Sequence, residues 1–493
     1  MPNINNNNDN NLLNTEQHQL EPEAMYEVII VGAGTTGAAA AYHLAQHGVR
    51  NILVLDMGTP GKGLSTSGAV PLENNTPSTR TAMTERETRY MPQKSGSAVF
   101  DGGPAGPATI KMIVTLPPYL ELEEFAKHHG WDGVASYMNM AKRGLEMEVD
   151  IATRVLPNPT QQVKRLGSLM VCESQDVHRL YNEYQHLCRL NIVTCEWWNE
   201  DKVNAAHGQA ANFKAGIWFP DEARINSTAY ARALLDAIVA KGTVTVVENC
   251  APMISVKTIS SSNNSNTGAS YAEVQLANGR IIHAKYAIVA TGGMHVDENL
   301  SGLLTPRYSY LVGLPHPPSS SHGHNAAAGK GQGMTVPDSS NFYTFGFSHD
   351  WCVESNFVRI SGEDHYSGLK CPRAKERNTN LASWGFNKYP YLDSTAPYPE
   401  TYGIYSETAD FLPLVGMTRN SSAVCYMVGC NAWGQASLSA IAGMAPALLG
   451  YRDFRPEELD AAKLCSIQRF VGRDVIESAR AATVDKSPVR SRL

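Results

Sequence analysis

The chain has 493 residues, 43% of them hydrophobic, with 41 Lys and Arg against 47 Asp and Glu and a formal charge of −6. That is apolar content enough for a large core spread over more than one domain. A mildly acidic chain without a basic run gives no electrostatic reason for a nucleic-acid partner, and no apolar stretch reaches the roughly 18 residues that span a bilayer.

Residues 1–25 are Asn-rich and polar, without the basic and apolar segments of a secretory signal, and read as a disordered leader. Tyr26–Val31 is a β-branched strand, followed by a Gly-rich turn, an alanine-rich helix over Ala38–Gln46 and a second strand over Asn51–Leu55. Strand, helix and strand within about 30 residues make a βαβ unit, which needs a parallel sheet covered on both faces. Gly58–Pro107 is rich in Gly, Ser, Thr and Pro and reads as long loops. Helices are expected over Tyr119–Val149, Val177–Leu190 and Thr228–Ala240, and strands over Leu166–Cys172 and Gly216–Phe219. Further strands follow at Val244–Val247, Ala272–Leu276 and Tyr286–Ala290, and the aromatic stretch Asn341–Ile360 reads as sheet. Phe411–Val415 and Val424–Val428 are short apolar segments before a closing helix over Ser437–Tyr451. The nine cysteines are irregularly spaced without a CxxC pair, so they read as buried thiols of a reducing compartment.

Gly32-Ala33-Gly34-Thr35-Thr36-Gly37 is a GxGxxG set directly after a strand and before a helix. Gly32 permits the tight turn, Gly34 lets a pyrophosphate approach the backbone, and Gly37 permits close packing of helix on strand. Asp56 ends the next strand, 24 residues after Gly32, where a carboxylate would accept hydrogen bonds from ribose hydroxyls. The fingerprint alone does not separate FAD from NAD. Downstream, Tyr286–Gly293 is an apolar strand ending in Ala-Thr-Gly-Gly, and Thr408–Gly416 and Val428–Gly434 precede a helix of small residues.

This order of segments, from Tyr26 to Leu449, resembles the FAD-dependent D-amino-acid oxidase, glycine oxidase and sarcosine oxidase (DAO) family. The resemblance implies FAD, with contacts from Ser65, Thr66 and Ser67 in the loop after the second strand. It also implies contacts from Ala251 near the adenine, from Thr291 and Gly292, and from Gly434. It implies an α/β fold with a discontinuous Rossmann-like FAD-binding unit (26–94, 217–302 and 402–455) and a mostly antiparallel substrate domain (95–216 and 303–401), followed by a C-terminal helix and tail (456–493). Tyr405, Tyr310 and Trp433 are expected at the flavin's substrate face.

Departures from the family pattern carry information of their own. Some relatives link flavin to a cysteine seven residues before the Asp matching Asp410; Gly403 occupies that position, which implies non-covalent FAD. The arginine that holds a substrate carboxylate, five residues before that Asp, is replaced by Tyr405, and the alternative lysine anchor by Ala436 or Ser437. Either the substrate is an amine without a carboxylate, or another arginine holds it; Arg307, Arg359 and Arg80 remain open. His349 reads as structural, and Lys330 as a weak candidate for dioxygen activation.

The chain ends in Ser491-Arg492-Leu493, close to the receptor-read Ser-Lys-Leu peroxisomal address. The expectation is a peroxisomal oxidase that turns an amine or amino acid into an imine with dioxygen as acceptor and hydrogen peroxide as product; without that address being read it would be cytoplasmic. The partners expected are a small amine or amino acid, dioxygen and the import receptor, with neither nucleic acid nor membrane. The alternatives are an amine dehydrogenase with a non-oxygen acceptor and a flavin-binding protein without turnover.

Overall fold

In the computed structural model, which describes residues 25–61, 110–117, 121–260, 270–293, 297, 300–316, 342–354, 357–366, 373–419 and 421–470, the first β-branched run forms strand β1 (Met25–Val31). It pairs in parallel with β2 (Ile52–Leu55) on one side and β12 (Ile281–Val289) on the other, so both of its edges are used; one face packs Val28 and Ile30 into one core and the other packs Ile29 into a second, and all three are fully buried. Helix α1 (Thr35–Gln46) crosses between β1 and β2, and its alanines Ala38–Ala41 let it lie close against the sheet. The sheet runs β10 (Met253–Ser260), β11 (Ser270–Leu276), β12, β1, β2, β9 (Val244–Val247), with β19 (Val424–Val428) beside β12 and β18 (Leu414–Met417) beyond it. Segments from the start, middle and end of the chain therefore share one sheet, as the sequence implies.

The second sheet has the order β17 (Glu400–Thr408), β13 (Leu304–Pro315), β16 (Phe357–His365), β15 (His349–Val353), β14 (Tyr343–Phe345), β5 (Ser168–Cys172), β7 (Ala215–Phe219), β6 (Glu196–Asn199). Its pairs are antiparallel except β14 with β5. The α/β class and the mostly antiparallel second layer agree with the sequence, but two boundaries do not. Residues 217–219 and 402–408, assigned from sequence to the FAD-binding unit, are strands of this second sheet. Helix α2 (Leu122–Val155), expected in the substrate domain, packs with α1 in the same core. A small third sheet joins β3 (Ile110–Ile113), β8 (Ala223–Asn226) and β4 (Val163–Lys164).

The pleat gives the second sheet two different faces. Tyr308, Tyr310, Val312 and Leu314 of β13, with Val358 and Ile360 of β16 and Trp351 and Val353 of β15, pack under a helix, α5 (Ala374–Lys388), that the sequence reading does not contain. Gly385 makes that contact possible, because a Cβ there would lie 2.3 Å from Ile360 Cδ1. The residues between them face the first sheet across a cavity. Of the other helices, α3 (Val177–Leu190) and α4 (Ser227–Val239) fall where expected. Asn226 caps α4 by accepting the Ala229 N–H at 3.0 Å. The closing helix begins earlier than expected and is broken, into α6 (Gly434–Gly443) and a short turn over Ala445–Leu448.

Helix α2 bends at Gly130 (φ +69°) and then runs along α6. The two backbones touch at Gly144, where a Cβ would sit 1.9 Å from the Ala436 carbonyl oxygen. Beside that contact Glu148 is fully buried and accepts hydrogen bonds from Gln435 and from Ser439 Oγ (2.8 Å). Burial outweighs these bonds and pushes its carboxyl up to about 7.

A raised carboxyl pKa means that the folded state holds a proton the unfolded chain releases. Its contribution is therefore complete below pH about 4.5 and is lost as pH rises towards 7. Glu148→Gln, which fixes the neutral form, is expected to raise stability at pH 8 by up to on the order of 3 kcal/mol and to leave it nearly unchanged at pH 4.5. Thermal unfolding of both proteins across that range is the measurement.

Candidate functional site

The turn after β1 is built around close backbone approaches. Gly32 has φ +99°, and a Cβ there would lie 2.4 Å from the Ala290 carbonyl oxygen at the end of β12. At Gly37 a Cβ would sit 1.8 Å from the Gly32 oxygen. Gly34 differs from both, since a Cβ there would meet nothing within 4 Å. Its open side, with Thr35 and Thr36, borders a cavity between the two sheets. No side chain caps α1, and its first turn carries no acidic residue. The positive end of the helix and its free N–H groups thus have room for an anion such as a pyrophosphate.

Asp56 makes bonds within the fold that the sequence does not suggest. Its carboxylate accepts the N–H of Ala33 (2.7 Å) and of Gly58 (2.8 Å), tying the glycine turn to the loop after β2. The backbone of Asp56 and Gly58 accepts from Cys250 and Asn249, which brings Ala251 beside this corner. Thr291 and Gly292 follow β12. The Thr291 hydroxyl is buried without a hydrogen-bond partner among the described residues, and Gly292 (φ +61°) borders the cavity.

The C-terminal segment closes the opposite side. Asn431 (φ +49°) and Ala432 (φ +66°) turn the chain after β19 through two successive left-handed residues, a conformation that needs fixing. Asn431 supplies it, accepting the Thr408 N–H at 2.8 Å and donating to the Gly429 oxygen at 2.9 Å. The turn delivers Cys430, Trp433, Gly434 and Gln435 to the cavity wall at the start of α6, which also lacks a side-chain cap. Trp433 packs edge-on against Phe345, 5.2 Å between ring centres.

The cavity holds about 250 Å³. From the second sheet, Tyr405 faces it, and its hydroxyl donates to Asp364 at 3.0 Å. Tyr310 borders the cavity, but its ring lies in the core under α5 and stacks on His365, 5.6 Å away. The expectation that this ring faces the flavin is corrected by the pleat, which presents Ser309 and Leu311 instead.

Arg359 and Lys111 are the cavity's cations from β16 and β3. Arg359, 3% exposed, donates from Nη1 to Asp350 at 2.8 Å and to the Tyr343 hydroxyl. Burial alone would raise the Asp350 carboxyl, but Arg359 and hydrogen bonds from Ser361 and Tyr343 hold it below the usual range. Burial, with Arg359 nearby, pushes the Lys111 amine down to about 8. At the far end Glu183 caps α2 by accepting the Leu122 N–H at 2.7 Å, and burial pushes it up to about 7. His349, pushed down to about 4 by burial, stacks on Trp384.

Arg307, one of the three arginines left open, is engaged elsewhere, with Glu407 at 2.6 Å and over the Tyr366 ring. Lys111, Asp350, Tyr343 and Asp364 have no functional signal in the sequence reading, because no motif marks them, whereas Cys430 falls inside the Val428–Gly434 segment without being assigned. Ser65, Thr66, Ser67, Arg80, Lys330 and Ser491–Leu493 lie outside the described residues.

Residues 27–445 match the DAO family of FAD dependent oxidoreductases. No curated protein matches the sequence. Among solved structures, glycine oxidase from Geobacillus kaustophilus aligns with a TM-score of 0.62 at 14% identity, over 91% of this chain and 100% of its own. Iminodiacetate oxidase from Chelativorans sp. BNC1 aligns with a TM-score of 0.58 at 15% identity (88% and 98%). The fructosyl amine: oxygen oxidoreductase Amadoriase I from Aspergillus fumigatus aligns with a TM-score of 0.59 at 12% identity (94% and 93%). At these identities the likeness is one of fold.

Gly34 and Gly37 of the turn predict separable defects. Gly34→Ala is expected to leave apoprotein stability within about 1 kcal/mol of the parent while sharply lowering the FAD retained. Gly37→Ala is expected to destabilise the apoprotein itself by about 3 kcal/mol or more. Flavin-to-protein absorbance ratios and melting of the stripped proteins separate the two.

Proposed function

The chain belongs to the DAO family of FAD dependent oxidoreductases, and from that premise we propose that it oxidises the C–N bond of an amine or amino acid to an imine, with dioxygen as acceptor and hydrogen peroxide as product. One observation carries the reading: the glycine turn, the C-terminal segment and the polar face of the second sheet meet on a single cavity. The residues present suit FAD, since Gly34 leaves open the space a pyrophosphate needs and Thr291 keeps an unmet buried hydroxyl beside it. Bound there, FAD supplies the hydride acceptor and the route of electrons to dioxygen, which is chemistry that side chains lack.

The chain's own residues position and desolvate. Gly34–Thr36 and the uncapped N-terminus of α1 would hold the phosphates, and Gly292 and Gly434, which border the same cavity, would leave backbone free to meet the rest of the cofactor. Trp433, Met170 and Leu311 keep the walls apolar, while Tyr405 with Asp364 offers a fixed hydroxyl and carboxylate. No side chain is assigned as a proton-abstracting base, because a neutral amine can lose hydride without one. Gly403, at the position of the linking cysteine in some relatives, supports non-covalent flavin. Relatives named as oxidases of glycine and iminodiacetate, and as a fructosyl amine: oxygen oxidoreductase, support an amine substrate and oxygen as acceptor. The Ser-Arg-Leu ending supports a peroxisomal address, beside catalase that would remove the peroxide.

The reading is tested by the absorption spectrum of FAD-reconstituted protein after anaerobic addition of pooled primary amines, secondary amines and α-amino acids. The expected outcome is bleaching by one pool, recovery on admitting air with one peroxide per flavin reoxidised, and release of the flavin on denaturation. Bleaching without reoxidation by air would favour a dehydrogenase, and flavin that no pool reduces would favour binding without turnover. A fluorescent protein ending in residues 484–493 is expected to collect in peroxisomes and to remain in the cytosol once Ser491–Leu493 is removed.

A further inference from the structure

Helix α2 places a carboxyl where its pattern calls for an apolar residue. Tyr137, Ala141, Gly144, Leu145 and Ala152 belong to the buried stripe of that helix, and Glu148, one turn after Gly144, lies on the same stripe and is fully buried. Glu146, two residues earlier, is exposed and paired with Arg165 at 2.6 Å. Among the described residues Glu148 has no cationic or backbone partner. It accepts from Gln435 Nε2 and from Ser439 Oγ (2.8 Å), both on α6. Packing alone gives no reason for this choice, since burial of the carboxylate outweighs the two neutral bonds and an apolar residue or an amide would fill the position without a charge.

Gln435 connects the buried carboxyl to the cavity. It is the second residue of α6, half-buried, and lines the cavity beside Gly434, at the end of a helix whose first N–H groups have no side-chain cap. With Nε2 spent on Glu148, the carbonyl end of the amide is what remains for the cavity. An ionised carboxylate only accepts, so it fixes that orientation. A protonated carboxyl must also donate, and the Gln435 carbonyl is its best acceptor, because Ser439 already donates to the other oxygen. The amide then turns over, and its NH2 group meets the cavity. Around this contact α6 carries no charged residue. Tyr230 of α4 feels the charges of Glu148, of Tyr42 on α1 and of Arg154 on α2, and burial holds its hydroxyl neutral. His43 of α1 is pushed down to about 4 by burial, and Arg154 is paired with Asp150 at the surface. The charge that changes here near pH 7 is therefore that of Glu148.

We infer that Glu148 is a positioning residue for the cofactor site: its proton decides which end of the Gln435 amide the cavity wall offers to FAD. The inference rests on FAD binding in this cavity, as in the reading above, and not on the substrate class. FAD is anionic and rich in acceptor oxygens, so it is better served by the NH2 orientation, which adds a donor to the free N–H groups of α6. The ionised form instead adds a negative charge behind the wall, at the helix end where the cofactor's own charge is favoured. Both effects have one sign, and FAD binds more tightly when Glu148 is protonated. By linkage, FAD binding near neutral pH draws a proton onto Glu148.

The test is the dissociation constant for FAD, titrated into the stripped full-length chain between pH 5.5 and pH 8 and read by flavin fluorescence, beside thermal unfolding of the same samples. In the parent, affinity is expected to weaken about fivefold across a step centred near pH 7. Glu148→Gln, neutral throughout, is expected to lose that step and to keep only the change at the alkaline end from Lys111, whose amine is pushed down to about 8 by burial. Gln435→Leu is expected to lose the step too, while its stability still varies with pH. That variation should move to higher pH, because one of the two bonds that lower the Glu148 carboxyl is gone. A purely structural Glu148 would leave FAD affinity unmoved by its titration, and a parent without the step would overturn the inference. A step that survives in Glu148→Gln would belong to Glu183, the cavity carboxyl also pushed up to about 7, and would overturn it as well. So would a step that survives in Gln435→Leu. A chain unable to bind FAD would overturn this inference and the oxidoreductase reading together, whereas a flat FAD affinity in a parent whose flavin amines still bleach would overturn this one alone.

Discussion

Everything in the site depends on how closely the chain can pass itself at the end of β12. Ala290 touches Gly32 of the first turn, and three residues later Gly293 touches β17, where a Cβ would lie 2.4 Å from the Ile404 oxygen. Ser406 Oγ fastens the same point by donating to the Gly292 oxygen at 2.9 Å. The small residues of Ala-Thr-Gly-Gly thus weld the edge of the second sheet to the nucleotide end of the first. A larger side chain at Gly293 would push the two sheets apart, and the cavity between them would lose the registry of its walls.

Because the sheets are joined there, the face of the second sheet that looks back at the first cannot be an ordinary core face. On β17 it presents Thr401, Gly403, Tyr405 and Glu407, while Tyr402 and Ile404 enter the apolar core on the other side. On β16 the same alternation presents Arg359 and Ser361, with Val358 and Ile360 on the other side. The pleat therefore sorts each strand into a stabilising half and a chemical half. Stability comes from Tyr308, Tyr310, Trp351 and α5 below, which frees the upper half to carry charge.

That sorting also decides what the sequence could reveal. The βαβ unit was legible because its strands are buried on both faces and read as continuous apolar runs, and because the glycines sit at a spacing that backbone contact demands. β13, β17 and α5 were not legible, since Pro306 and Arg307 interrupt one strand, polar residues fill half of the other, and the helix buries little beyond Leu381, Ala382 and Gly385. The aromatic stretch was readable as sheet but not as to facing, so Tyr310 was assigned to the cavity when its ring belongs to the core. Asp56 shows a subtler gap: its position was foreseen, but its bonds to Ala33 and Gly58 come from the loop that folds back on the turn. The charged corner was hardest of all. Lys111 and Arg359 are 248 positions apart and meet only because β3 and β16 border one cavity.

A lone Asp350–Arg359 pair would be a poor reason to bury an arginine at this point. Taking both groups out of water costs several kcal/mol per ion, and a single well-placed contact recovers it only when the remaining donors are also met. Here the Nε–H is not met, and Lys111 adds a second cation whose own desolvation already drives its pKa down to about 8. Each uncompensated buried donor costs about 1–3 kcal/mol.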